Sequence, residues 1–113
     1  MAQLTRIALD KRSTHTGFIK AEIGFIDDSI LYVREFVDVE SSEDRLMYVY
    51  QYVSNSGHLI FRYDNSGHHK KLMLPTYPHH KHDRAEDMII ATPPVNLNEV
   101  LEEIEQLLLQ STD

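Results

Sequence analysis

The sequence contains no cysteine, and no apolar run in it approaches the ~20 residues that a membrane-spanning helix needs. The lack of cysteine excludes disulfides, zinc–thiolate sites and thiol nucleophiles. The N-terminus also lacks the basic start and the apolar core of a signal peptide. Together these absences predict a cytoplasmic protein with no membrane partner.

Basic residues are missing from the last part of the chain. Residues 85–113 carry seven acidic side chains and no basic one, whereas residues 58–84 have a balance of +3 and hold six of the seven histidines. A cationic block inside a chain of net charge −7 favours an anionic partner locally. The alternative is that an acidic C-terminal helix simply neutralises the block.

The composition is that of a folded chain, with 42% hydrophobic and 26% charged residues. A chain of 113 residues is near the usual size of one domain, and a second independent core would not fit. We therefore predict that residues 1–113 form a single domain.

Strand patterns dominate the first two thirds of the chain. Segments with the β-branched and aromatic composition of strands are residues 17–26, 29–39, 46–53 and 58–64. The third segment alternates strictly, with Tyr48, Tyr50 and Tyr52 on one face. Because turn-forming residues separate the members of each pair, we predict an antiparallel meander over about residues 17–64. Residues 2–10 fit a strand or a helix, and residues 88–91 could add a short strand.

A helix is predicted over about residues 96–110. The apolar residues that recur at helical spacing are Leu97, Val100, Leu101, Ile104, Leu107 and Leu108. Asn96 is a good N-cap, and Glu99 stands three residues later as in a capping box. The expected fold is α+β, an antiparallel β-meander of four to six strands with this helix packed on one face. The other face would remain open to solvent or to a partner.

Residues 65–84 form a histidine-rich segment between the meander and the helix. The segment has weak periodicity and two prolines, and long irregular loops in compact domains are often functional. Five histidines fall within fifteen residues, at positions 68, 69, 79, 80 and 82. Single histidines are often only solvated side chains, but this density beside Arg62 and Lys81 indicates a functional site.

One chemistry that suits these residues is cleavage of RNA by its own 2′-hydroxyl, without a metal. The reaction needs a base, an acid and cations for the phosphate charge. His80 and His82, or His69, could exchange the protons, while Arg62 binds phosphate and Lys81 stabilises charge. If the stretch is extended, His80 and His82 project to the same face.

Four further residues are candidates for substrate binding. Asp64 and Asn65 follow Arg62 directly in the chain. Tyr48 and Tyr50 could stack RNA bases if their face is exposed, and would be core residues if it is buried.

Two other functions remain open. A divalent metal could bind the histidine cluster, although no HExxH motif is present and the neighbouring lysines oppose a dication. No cofactor is expected, and a metal is the alternative. The chain could also be a non-enzymatic binding module whose basic segment docks an acidic partner, and an open sheet edge would allow a homodimer.

The order of the motifs resembles the TumE toxin family over about residues 17–107. The motifs are Arg62-Tyr63-Asp64-Asn65, His68-His69, Pro78-His79-His80-Lys81-His82 and the acidic C-terminal helix. The resemblance implies the toxin of a toxin–antitoxin pair, inhibiting growth until a cognate DNA-binding antitoxin relieves it. It implies no catalytic assignment. One departure is Ser66-Gly67, where the family pattern leads us to expect a proline.

Overall fold

The structure is a computed structural model that describes residues 2–11, 16–38, 45–67 and 72–110. Its strands are β1 (Ala2–Lys11), β2 (Thr16–Phe25), β3 (Ile30–Asp38), β4 (Arg45–Val53), β5 (Leu59–Asp64), β6 (His80–Asp83) and β7 (Ile89–Ala91), and its helix is α1 (Leu97–Gln110). All strands lie in one antiparallel sheet in chain order. In the described ranges no helix has the length and apolarity needed to cross a membrane.

The predicted α+β meander is confirmed. The prediction was four to six strands, and six strands have four or more residues. The short strand predicted near residues 88–91 is the three-residue β7, which continues the sheet. The ambiguous N-terminal segment is strand β1.

Short-range hydrogen bonds turn the chain between successive strands. Asp28 takes a left-handed conformation (φ 67°) between β2 and β3, where the Asp27 carboxylate accepts a hydrogen bond from the Ser29 amide. Gly57 does the same (φ 85°) between β4 and β5, a conformation that glycine adopts without steric cost. These turns keep consecutive strands adjacent, which is what makes the sheet a meander.

The capping box of the helix is confirmed by two reciprocal hydrogen bonds. The amide of Glu99 donates to Asn96 Oδ1 over 2.9 Å, and the amide of Asn96 donates to Glu99 Oε1 over 3.1 Å. Backbone donors at a helix start have no partner within the helix, so this exchange fixes where α1 begins.

The core lies between α1 and one face of the sheet. The helix contributes Val100, Ile104 and Leu108, and these pack with aromatic side chains of β4 and β5 and aliphatic side chains of β2 and β3. Strand alternation therefore divides the sheet into a helix-covered face and an open face.

A polar contact joins the helix to the sheet beside the core. Lys81 Nζ donates to Glu103 Oε2 over 2.8 Å, and the Tyr63 hydroxyl donates to the other oxygen of the same carboxylate. Burial, and then the hydrogen bond to Glu103, raise the pKa of Tyr63 to about 12. Burial alone would lower the pKa of Lys81, but Glu103 and Tyr63 raise it above the usual value.

We predict that this contact makes the protein lose stability at alkaline pH. Because the folded state raises the pKa of Tyr63 from 10.0 to about 12, its contribution is complete below pH 10 and is lost as the pH rises through 12. A shift of this size corresponds to about 3 kcal/mol of unfolding free energy. Urea unfolding of the wild type and of Tyr63→Phe at several pH values measures the difference. Equal losses of stability in both proteins between these pH values would contradict the prediction.

Candidate functional site

The pairing of β5 with β6 assembles a polar cluster on the open face of the sheet. Arg62 lies opposite His82 and Asp64 lies opposite His80, so all four side chains emerge on the same side. The prediction that His80 and His82 share a face is confirmed. Asp64, His80 and His82 are nonetheless 5%, 2% and 1% exposed, which makes this a buried polar site rather than a solvated surface.

The carboxylate of Asp64 lies at the centre of the cluster. Its Oδ1 is 2.9 Å from His80 Nε2, and its Oδ2 is 3.6 Å from His82 Nε2. Arg62 Nε donates to Oδ2 over 3.2 Å, and the Ser66 amide donates to Oδ1 over 3.0 Å. A buried carboxylate is stable only with such partners, so the cluster is built around this one charge.

Backbone carbonyls fix the orientation of both imidazole rings. His80 Nδ1 is 2.8 Å from the carbonyl oxygen of Pro78, and His82 Nδ1 is 2.7 Å from that of Glu86. A carbonyl oxygen can only accept, so both Nδ1 atoms carry hydrogen. The Nε2 atoms of the two rings consequently turn toward Asp64 and Arg62.

The two rings meet different neighbours at Nε2. Arg62 Nη2, which can only donate, is 3.2 Å from His82 Nε2, so that atom is an acceptor and the ring of His82 is neutral. His80 Nε2 instead faces the carboxylate of Asp64, 2.9 Å from Oδ1. The ring centroids are only 4.9 Å apart. The two adjacent imidazoles therefore meet unlike neighbours at Nε2, a guanidinium at one ring and a carboxylate at the other.

Glu86 is a member of the site that the sequence did not reveal. Its carboxylate accepts hydrogen bonds from Arg62 Nη1 over 2.8 Å and from Arg62 Nη2 over 2.6 Å. The side chain of Glu86 is 62% exposed and that of Arg62 is 22% exposed, so this pair lies on the solvent-facing side of the cluster. The turn between β6 and β7 delivers Glu86, with Arg84 at a φ of 67°. No sequence motif marks that turn.

Tyr48 and Tyr50 do not meet the condition for stacking RNA bases. They are 1% and 0% exposed, lie on the helix-covered face and pack against each other with ring centroids 5.4 Å apart. The hydroxyl of Tyr50 donates to Glu35, and that of Tyr48 is 2.7 Å from His79 Nδ1. The alternative interpretation, that these tyrosines are core residues, agrees with this burial.

Lys81 is not brought to the cluster. It lies between His80 and His82 in an extended strand, so its side chain projects to the other face and bonds to the helix. Asn65 is close to the site in sequence, but its Oδ1 accepts the backbone hydrogen bond of Tyr48 over 3.0 Å. His69, the third candidate for proton transfer, lies outside the described residues, as does His68.

Ser66-Gly67, where the family pattern led us to expect a proline, makes specific contacts in the structure. A proline at position 66 would have no N–H, so it could not make the hydrogen bond that Ser66 donates to Asp64. A Cβ atom at position 67 would lie 2.9 Å from the hydroxyl oxygen of Tyr77. In this chain both residues are adapted to the local packing around the site.

One protein-family model matches nearly the whole chain. The model described as Toxin TumE matches residues 2–108. The chain belongs to the TumE toxin family. The protein is thus the toxin component of a toxin–antitoxin system, which implies an antitoxin partner. No curated protein and no solved structure matches the chain significantly.

We predict that Asp64→Ala destabilises the TumE-family fold by about 2–3 kcal/mol, because it leaves the Ser66 amide and the Nε of Arg62 without the acceptor of their hydrogen bonds. Asp83→Ala is the matched control, since Asp83 is a partly exposed aspartate in the adjacent strand and its loss should cost at most about 1 kcal/mol. Urea unfolding monitored by circular dichroism measures both variants. Similar stabilities for the two variants would contradict the central place of Asp64.

Proposed function

We propose that this toxin inhibits growth by cleaving RNA without a metal, at the cluster of Arg62, Asp64, His80 and His82. The observation that carries the proposal is the pair of adjacent imidazoles with unlike hydrogen-bonding neighbours. One neutral ring and one charged ring are what transfer of a proton onto and off an RNA backbone requires.

The proton transfers follow from the hydrogen-bond partners. His82 Nε2, the acceptor, takes the proton of the 2′-hydroxyl, and the freed oxygen attacks the adjacent phosphorus. His80, the ring that faces Asp64, gives a proton to the departing 5′-oxygen as the phosphorus–oxygen bond breaks. The products are a 2′,3′-cyclic phosphate end and a 5′-hydroxyl end.

Arg62 is the phosphate-binding residue of the proposal. Its guanidinium holds the Glu86 carboxylate through two parallel hydrogen bonds, the same fork geometry with which arginine binds phosphate. A phosphate that replaced the exposed Glu86 carboxylate would keep these bonds and would lie beside the ring of His82. The substrate therefore binds by displacing Glu86 from Arg62.

Growth after induction of the protein tests the proposal. We expect the wild type to arrest bacterial growth, and a soluble His80→Ala/His82→Ala double variant not to arrest it. His58→Ala is the matched control, because His58 is exposed in the turn before β5 and should retain full toxicity.

The other outcomes of this assay separate the alternatives. Arrest by the double variant would remove the site from the proposal. Growth of cells that express the wild type would move the assignment to a non-enzymatic binding module. RNA from arrested cells should carry new 5′-hydroxyl ends, and intact RNA in arrested cells would contradict cleavage.

A second candidate function is that of a metal-dependent enzyme. Asp64, His80 and His82 each offer a ligand atom, and these atoms lie within 4.8 Å of one another. Histidines that bind metals commonly donate their other nitrogen to a carbonyl, as both rings do here. Lys81 was one of the lysines expected to repel a divalent metal, but its side chain faces away from the cluster. Arg62 remains beside the same ligand atoms and opposes a metal, which ranks this candidate second.

The pH profile and the response to EDTA distinguish the two candidates. Metal-free proton transfer by two histidines predicts a bell-shaped rate profile with both limbs between about pH 5 and 8. Within residues 45–67 and 72–110, charged groups that face the rings include Arg62, Asp64 and Glu86. Cleavage that persists in EDTA supports the first candidate. Loss of cleavage in EDTA, with restoration by one divalent metal, would replace it with the second.

A further inference from the structure

The open face of the sheet carries a groove that begins next to Arg62. The groove has a volume of about 450 Å³, and its polar and apolar lining includes Lys20, Glu22, Tyr32, Arg34, Val49 and Gln51. These residues come from β2, β3 and β4 and share the face on which the cluster of β5 and β6 lies.

The strand register connects the groove to the cluster. Tyr32 pairs with Gln51, Gln51 pairs with Arg62, and Arg62 pairs with His82, so these side chains form one row across the sheet. Gln51 Oε1 accepts a hydrogen bond from Arg62 Nη1 over 3.3 Å. Neighbouring strands are about 4.8 Å apart, which places Tyr32 about 10 Å from Arg62. A nucleotide or two can span that distance.

The groove combines an aromatic ring with positive charge. Tyr32 is 39% exposed although it is a large hydrophobic side chain in the middle of a strand. In the adjacent row, Arg34 pairs with Lys20 on β2, and both side chains are exposed. An exposed ring flanked by cations is the arrangement with which proteins bind single strands, by stacking bases and holding phosphates. Glu22, across from Tyr32, is the acidic residue of the lining.

We propose that this groove binds the single-stranded RNA next to the phosphate held by Arg62. A base stacks on Tyr32, while Arg34 and Lys20 bind the phosphates that follow. The assignment rests on the proposed function and adds the substrate's path across the sheet. It also transfers the stacking role from Tyr48 and Tyr50, which are buried, to the tyrosine that is exposed on the opposite face.

Binding of a short single-stranded 2′-O-methyl oligoribonucleotide tests the assignment by fluorescence anisotropy. This probe lacks the attacking hydroxyl, so it reports binding without cleavage. We expect Tyr32→Ala to weaken binding about tenfold, the order of one stacked base, and Tyr32→Phe to bind as the wild type does. Ile26→Ala is the matched control, because Ile26 is a large apolar side chain that is 78% exposed and lies outside the groove lining.

Salt dependence tests the two cations separately from the ring. Arg34→Ala and Lys20→Ala should each lower the slope of log affinity against log salt concentration, since each removes one phosphate contact. Tyr32→Ala should leave that slope unchanged. Equal slopes in the wild type and both cation variants would overturn the role of Arg34 and Lys20.

Failure of this inference is distinguishable from failure of the proposed function. If Tyr32→Ala binds the probe as tightly as the wild type, or the wild type does not bind it, the groove assignment is overturned while toxicity that depends on His80 and His82 would stand. If the probe binds through Tyr32 and arrested cells hold intact RNA, the groove assignment stands and cleavage is overturned.

Discussion

The buried carboxylate of Asp64 is the charge on which the site depends. A carboxylate with so little contact with water is stable only if cations and donors surround it. The fold supplies hydrogen bonds from Arg62 and the Ser66 amide, and it places the imidazole of His80 2.9 Å away. Each of these partners is in turn fixed by other contacts, the imidazoles by backbone carbonyls and the guanidinium by Glu86. The same arrangement that satisfies one buried charge thus leaves two imidazoles in unlike environments. The contacts that stabilise the buried carboxylate of Asp64 are therefore also the contacts on which the proposed chemistry depends.

The division of the sheet into two faces separates stability from function. One face carries Tyr48, Tyr50 and Phe61 into the core beneath the helix. The other carries the cluster of β5 and β6 and, further along, the groove with Tyr32 and Arg34. Lys81 illustrates the division, because it lies between two residues of the cluster and yet attaches the helix to the sheet. Substitutions of exposed residues on the open face, such as Tyr32 and Arg34, should therefore have little effect on the core.

Much of the fold could be predicted from local patterns. Strict alternation in β4, turn residues at the hairpins and the capping box at Asn96 each depend on neighbours within a few residues, and all are confirmed. The shared face of His80 and His82 followed from the same alternation. The same alternation places Lys81 on the opposite face, so the prediction that Lys81 acts beside the two histidines conflicts with the strand geometry itself.

The rest of the site depends on contacts that distant segments make. Alternation shows that Tyr48 and Tyr50 share a face, but not which face the helix covers, because valines occupy the other side of β4. Glu86 reaches Arg62 only because a turn reverses the chain after β6, and no motif marks it. The role of Asp64 depends on the register of β5 against β6. A segment of unusual composition indicated the region of the site, and long-range pairing determined its members.

The proposed chemistry depends on where the two imidazoles carry hydrogen. Long-range ¹H–¹⁵N correlation spectra of the histidine rings measure these positions directly. We expect both rings to carry hydrogen at Nδ1, and the Nε2 atom of His82 to carry none because it accepts from Arg62. Hydrogen at Nε2 of His82 with none at Nδ1 would contradict the role of Arg62, and with it the proposed base.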